Sequence, residues 1–183
     1  MRDIIIPVDF SETSLNAANY AAQLLTGHYG VTMVLYHSYS KASEAESVAE
    51  SLEKLKAGIM KKHIVKMEVL AHEESDFVDG LEKAARHRRA DLVIMGITGK
   101  SAIAQVFFGS NTLKMAERKV CPVLIVPENA TFSPLKNVML TSDFKNTLNT
   151  TPSAPIKDFL DVFSPQLHIV NVENEHYISL TEN

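Results

Sequence analysis

Over residues 3–127, short continuous apolar runs alternate with longer segments whose apolar positions recur every three or four residues. Ile4-Ile5-Ile6-Pro7-Val8 is the composition of a strand buried on both faces, with Asp9 at its carboxyl end. Ser11 to Ser14 supplies cap chemistry for a helix running to about Leu25, with Ala17, Ala21, Leu24 and Leu25 on one face. Gly27 and Gly30 close it, and Val31 to Tyr36 forms a second strand. Ser43-x-x-Glu46 predicts a capping box for a helix that carries Val48, Leu52, Leu55 and Ile59 inward. Val65, Met67 and Val69 alternate with Lys66 and Glu68, so the third strand has one exposed side and belongs at a sheet edge. Ser75 is placed to cap a helix to about Arg88, with Phe77, Leu81, Ala84 and Ala85 inward. Asp91 to Met95 is a fourth strand, and Asn111 to Lys119 a helix with Leu113, Ala116 and Val120 inward. Val123 to Val126 is a fifth strand, closed by Pro127. This alternation implies right-handed crossovers and an α/β fold with a parallel sheet.

The opening pattern then recurs. Arg2 to Phe10 aligns with Lys136 to Phe144, and at the same offset Val34 to His37 aligns with His168 to Asn171. Between them Ile156, Phe159, Leu160 and Phe163 mark a short amphipathic helix. Residues 1–127 therefore read as a complete domain, 128–135 as a linker and 136–183 as a partial second repeat of the same kind. Such a piece alone would leave a sheet edge and an apolar face exposed. Either the chain is a fragment of a tandem protein, the favoured reading, or this segment docks on the first domain or a partner subunit. Asp143 matches Asp9, but Thr141 and Ser142 replace Pro7 and Val8, so no nucleotide site is assigned to this half.

Composition narrows the function. The 183 residues are 45% hydrophobic, enough for a real core, and the net charge of −4 comes with no long basic run. Nucleic acid is not an expected partner, because phosphate neutralisation needs clustered Lys and Arg. The one cysteine, Cys121, cannot form an internal disulfide and reads as an inert thiol. No apolar stretch approaches the roughly 20 residues of a membrane span, and no secretory signal opens the chain, so the expected compartment is the cytoplasm. The seven histidines show no metal-like pairing, and no acid/base pair stands out. No metal ligand or catalytic residue is assigned.

The candidate chemistry lies after the fourth strand. Gly96-x2-Gly99-x9-Gly109-Ser110 leaves a strand end and delivers the chain to a helix beginning near Asn111 and Thr112. Glycines admit an anion close to the backbone, and a helix start offers unpaired N–H groups. Ser110 can cap that helix or bind phosphate, and Lys100 can neutralise one. The alternative is a turn that simply requires glycine. Gly99-Lys100-Ser101 imitates the end of a P-loop, but the first glycine of that motif would fall on Ile94, which excludes a Walker-type site.

This glycine pattern, with Ile4-Ile-Ile-Pro-Val-Asp9 before it and Cys121-Pro-Val-Leu-Ile-Val-Pro127 after it, resembles the universal stress protein family. The resemblance spans about residues 2–127 and resumes more weakly from 136. It implies a doubly wound open parallel sheet of five strands in the order 3-2-1-4-5, a homodimer, and ATP as ligand, with or without Mg²⁺. It implies a phosphate cradle of Gly96, Gly99, Lys100, Gly109, Ser110, Asn111 and Thr112, with Met95 leading into it. It also implies base and ribose contacts from Pro7, Val8, Asp9, Tyr36 and His37. Ile97, Ala102 and Ala104 depart from the family's usual loop residues. A role in stress response or signalling follows from the resemblance. The alternatives are a nucleotide-free dimerisation module of the same fold and a slow nucleotide hydrolase.

Overall fold

The computed structural model describes residues 1–97, 111–147 and 151–171. They form two compact units, residues 1–134 and residues 135–183. In the first, β1 (Asp3–Pro7), β2 (Thr32–Tyr39), β3 (Lys66–Glu73), β4 (Leu92–Ile97) and β5 (Val123–Pro127) make one parallel sheet in the order β3-β2-β1-β4-β5. The connecting helices are α1 (Glu12–Leu25), α2 (Ala45–Met60), α3 (Phe77–Arg88) and α4 (Asn111–Glu117).

Alternation along the strands divides the core into two layers. One contains Ile5, Val34, Tyr36, Val93 and Met95, packed with Leu81, Ala84 and Ala85 of α3 and Met115 of α4. The other holds Ile4, Ile6, Met33, Leu35 and Ile94, all buried, on the side of α1 and α2. Arg88 at the end of α3 ties the strand starts together, its Nε 2.8 Å from Asp3 Oδ2 and its Nη2 2.6 Å from Glu68 Oε2.

The helix starts follow local chemistry, with three departures from the expected details. The Ser11 hydroxyl accepts from the Ser14 amide at 3.2 Å and caps α1. Ser43 does not cap α2, because it lies inside a short 3₁₀ turn, Ala42–Glu44. The Glu44 carboxylate instead accepts the Ser40 and Lys41 amides, both at 3.3 Å. At α3 the cap is Asp76, not Ser75: its carboxylate accepts the Asp79 amide at 2.9 Å. In α4 the inward side chains are Thr112 and Met115, while Ala116 is exposed. With only two turns, that helix takes its rotation from the polar tie of Thr112 rather than from apolar spacing.

Residues 128–134 do not hang free as a linker would. The Asn16 side chain donates to the Ala130 carbonyl at 3.1 Å, and Phe132 packs edge-on against Tyr20 at 5.4 Å between ring centres. The segment is held on α1.

The close approach of α3 to β2 requires Gly80. A Cβ there would lie 2.6 Å from the Tyr36 hydroxyl and 2.9 Å from Glu74 Cγ. That hydroxyl is buried with no hydrogen-bond partner among the described residues. Burial pushes the phenol up to about 12; Ser38 is near enough to soften the shift but outside hydrogen-bond geometry, and the Glu74 charge adds to it. An orphaned buried hydroxyl costs about 1–3 kcal/mol. Tyr36→Phe is therefore expected to melt at the same temperature as the parent or higher. A clear fall in the melting temperature would mean that the hydroxyl has a partner.

The described residues of the second unit form a two-stranded parallel sheet of β6 (Asn137–Thr141) and β7 (Gln166–Val170), with α5 (Ser153–Phe163) between them in the chain.

Candidate functional site

The strand order places β1 and β4 side by side, with Ile4 opposite Leu92 and Ile5 opposite Val93. Their crossovers leave toward opposite edges of the sheet. This is the switch point outside whose carboxyl ends ligands bind in open α/β sheets.

At the β1 end, Asp9 sits in a tight side-chain turn. Its Oδ1 accepts the Ser11 amide at 3.0 Å and the Ser11 hydroxyl at 2.5 Å, and its own amide donates to the Ser14 hydroxyl at 3.2 Å. The turn forces Phe10 to a φ of +63°, uncommon for a residue with a side chain. Burial alone would raise the Asp9 carboxyl; the hydrogen bonds from Ser11 and Ser14 outweigh it and hold the group below its ordinary value. Asp9 is thus exposed and ionised, and both Ser11 bonds fall on Oδ1. Among the described residues no bond of hydrogen-bond geometry falls on Oδ2, which can accept from a ligand hydroxyl or amino group.

Pro7 and Val8 are buried at the end of β1. The Val8 amide donates to the Tyr36 carbonyl at 2.8 Å, so these two backbone groups already satisfy each other. His37 Nδ1 lies 2.6 Å from the Val8 carbonyl. A carbonyl can only accept, so Nδ1 carries the proton. The His37 ring also rests against Phe10, 5.3 Å between centres.

At the β4 end, Met95 is buried and Gly96 half-buried. A Cβ on Gly96 would lie 2.7 Å from both the carbonyl oxygen and Cγ2 of Thr13. The end of β4 thus rests on the first turn of α1. The Gly96 carbonyl accepts from the buried Thr112 hydroxyl at 3.1 Å, which fixes the start of α4 against the same strand end. Asn111 is exposed beside it. Gly99, Lys100, Gly109 and Ser110 lie outside the described residues.

Two clusters therefore form. One joins Asp9, Val8, Tyr36 and His37; the other joins Gly96 and Thr112. Thr13, on the turn of helix that follows Asp9, connects them. Sequence reasoning missed Phe10, Ser11, Ser14 and Thr13 as parts of this arrangement. The Asp-x-Ser spacing of Asp9 and Ser11 carries the signal for a side-chain turn. Nothing in the sequence marks Thr13.

Cys121 is half-buried, and its thiol is pushed up to about 11 by burial and then by the Asp91 charge. Such a thiol is a poor nucleophile at neutral pH. Among the described residues no three or more His, Cys, Asp or Glu side chains come together as a metal site, and no helix is long and apolar enough to cross a membrane.

Acid should unfold the domain through its constrained carboxyls. The carboxyls of Glu74, hydrogen-bonded by Lys83, and Asp76, bonded by the Asp79 amide, also lie below their ordinary values, as Asp9 does. A carboxyl with a lowered folded value contributes stability above its unfolded value, roughly pH 4. That contribution is lost as pH falls through the folded value. The melting temperature is expected to decline below about pH 4 and to be insensitive to these groups from pH 6 to 8. A rise on acidification would contradict this assignment.

The family model of the universal stress proteins matches residues 1–127. The chain belongs to the universal stress protein family. A universal stress protein of Methanocaldococcus jannaschii is 26% identical over 138 residues, covering 68% of this chain and 81% of that protein. One from Thermus aquaticus is 27% identical over 135 residues, covering 68% of this chain and 98% of that protein. Among solved structures, a universal stress protein in complex with cAMP aligns with a TM-score of 0.57 at 23% identity, over 70% of this chain and 98% of its own. The universal stress protein of Archaeoglobus fulgidus in complex with dAMP aligns at 0.53 and 20% identity, over 68% of this chain and 97% of its own. At these identities the structures show the shared fold, the doubly wound sheet of this family. Residues 128–183 lie outside the family match.

Proposed function

We propose that this universal stress protein binds ATP at the β1/β4 switch point and works as a nucleotide-controlled module in stress response or signalling. The observation that carries the reading is the ionised Asp9, exposed at the end of β1 and just before the helix turn that meets Gly96 at the end of the neighbouring strand. Asp9 would take the ribose or adenine. His37, locked by the Val8 carbonyl and backed by Phe10, would wall the base. The glycine pattern through Gly99 and Gly109-Ser110, with Lys100, would hold the phosphates, and Asn111 and Thr112 would open the helix beneath them. Relatives of this fold crystallised with cAMP and dAMP support an adenine nucleotide as the class of ligand. A Mg²⁺ ion would be held largely by the phosphates, the usual arrangement where few carboxylates are offered.

The mechanism is binding followed by a shift of population between interaction states. This mechanism needs no hydrolysis, and any turnover would be slow. A homodimer in the cytoplasm fits this reading, with the outer strand β5 and its exposed Ile125 as the contact edge. Titration calorimetry of the full chain with Mg-ATP, AMP and cAMP tests the ligand. One-to-one binding that is tightest for ATP is expected. No heat with any of the three would favour the alternative, a nucleotide-free dimerisation module, which the Val8–Tyr36 pairing of backbone groups at the base position would then explain.

A further inference from the structure

The candidate site lies at the carboxyl ends of the strands. The amino ends of β2 and β3 carry a different surface, where two loops meet. Residues 26–31 join α1 to β2, and residues 61–65 join α2 to β3. The Gly27 amide donates to the Ile64 carbonyl at 3.2 Å and ties one loop to the other. Thr26 Oγ1 lies 3.5 Å from His63 Nδ1 across the same junction. Leu25, Val31, Ile59 and Val65 are buried and anchor both loops in the core. Between these anchors stand exposed apolar side chains. Tyr29 is 85% exposed, Ile64 71%, and Met60, the last residue of α2, 50%. Single apolar side chains on a surface are ordinary. These three belong to two bonded loops at one end of one sheet, so they form a group.

The charge around the group has one sign. Residues 23–32 and 57–66 contain Lys61, Lys62 and Lys66 and no Asp or Glu. Lys56 and Lys66 are matched by Glu53 at 3.3 Å and Glu68 at 3.9 Å. Lys61 and Lys62 are exposed and make no ion pair among the described residues. The nearby carboxylates of Asp3 and Glu68 are held by Arg88. In a chain of net charge −4, this end therefore stands out as cationic and apolar together.

We propose that this end of the first unit seats on an anionic lipid surface, with Tyr29, Met60 and Ile64 entering the headgroup boundary and Lys61 and Lys62 meeting the lipid charges. Side chains exposed to this degree project from loop tips and line no recess, so they fit a surface that they can enter better than a peptide that they would have to enclose. A tyrosine is apolar along its ring and polar at its tip, and a lysine stem can lie along the acyl boundary while its ammonium stays among the headgroups. Charge attracts the protein to such a surface, and apolar burial holds it there. A second copy of the same patch would set lysines against lysines, which opposes self-association. The inference does not depend on nucleotide binding. The β1/β4 switch point lies at the other ends of the strands, so a seated molecule keeps it toward the solution.

The test sediments the full chain with vesicles of phosphatidylcholine alone or of equal parts phosphatidylcholine and phosphatidylserine. Cosedimentation with the anionic vesicles is expected, weak or absent with the neutral ones and reversed by molar salt. Lys61→Gln with Lys62→Gln should weaken it by about 25-fold, at roughly fivefold per lysine. Ile64→Ser should weaken it by about tenfold. These variants should melt like the parent, because the residues are exposed. The chain contains no tryptophan, so Tyr29→Trp adds a single reporter whose emission should shift to the blue on the anionic vesicles. No cosedimentation with the anionic vesicles overturns the proposal and leaves an acidic protein as the partner to seek. Equal binding to both kinds of vesicle, binding that survives the lysine and Ile64 substitutions, or an unshifted emission from the Tyr29→Trp chain also overturns it.

Discussion

The Gly109→Val chain is expected to lose ATP affinity by on the order of 100-fold while melting at the temperature of the parent. Gly109 is the last glycine of the G-x2-G-x9-G-S pattern and directly precedes Ser110 and the start of α4 at Asn111. A phosphate cradled there must approach backbone amides closely, and a branched side chain would stand in its place. Hydrogen bonds to charged groups are worth about 1.5–3 kcal/mol each, and roughly 1.4 kcal/mol is a factor of ten in affinity. Losing one or two such bonds gives the expected change. Gly109 stands outside the apolar runs that form the strands and helices, so the fold is expected to tolerate the change. Calorimetry with Mg-ATP and a thermal melt of the apo protein read the two quantities separately. Parental affinity in this variant would place the phosphates elsewhere.

Gly96→Ala is expected to behave in the opposite way. Its Cβ would meet the Thr13 carbonyl oxygen at 2.7 Å, a backbone atom that cannot rotate away. Either β4 or the first turn of α1 must move. Overpacking of this kind costs about 1–3 kcal/mol, and for a chain of this size each kcal/mol is about 2–4 °C of melting temperature. A fall of several degrees in the apo protein is the expected result. An unchanged melting temperature would mean that the strand end and helix turn are loosely packed, and Gly96 would then return to the ligand as its main reason for being glycine. The pair of variants therefore separates two roles that one motif had merged. In the sequence Gly96 and Gly109 look alike, but one sits against Thr13 and the other precedes a helix start.

The fold was largely legible because buried parallel strands advertise themselves. Ile4 to Val8 and Asp91 to Met95 carry almost no polar residue, and the strand order followed once the family resemblance was joined to the alternation of elements. Exposure of one side of β3 was equally plain from Lys66 and Glu68 beside Val65, Met67 and Val69. What escaped was decided by single polar contacts. Asp76 took the cap from Ser75 because its carboxylate reaches the Asp79 amide. The inward face of α4 was turned by the Thr112 hydroxyl reaching the Gly96 carbonyl. The use of the Val8 amide by Tyr36 depends on strand register, which no local pattern encodes. The Asp9 position was legible in the sequence, and the Asp-x-Ser spacing carried the signal for its Ser11 turn; the tie to Ser14 and the strained Phe10 between were not legible.

That this universal stress protein holds an adenine nucleotide is tested most directly by mass spectrometry of small molecules released by denaturing the freshly purified full chain. Bound ATP at close to one per chain is the predicted result. A protein that releases no nucleotide, and gives no heat with added Mg-ATP, would contradict it and leave the glycine pattern as a structural turn.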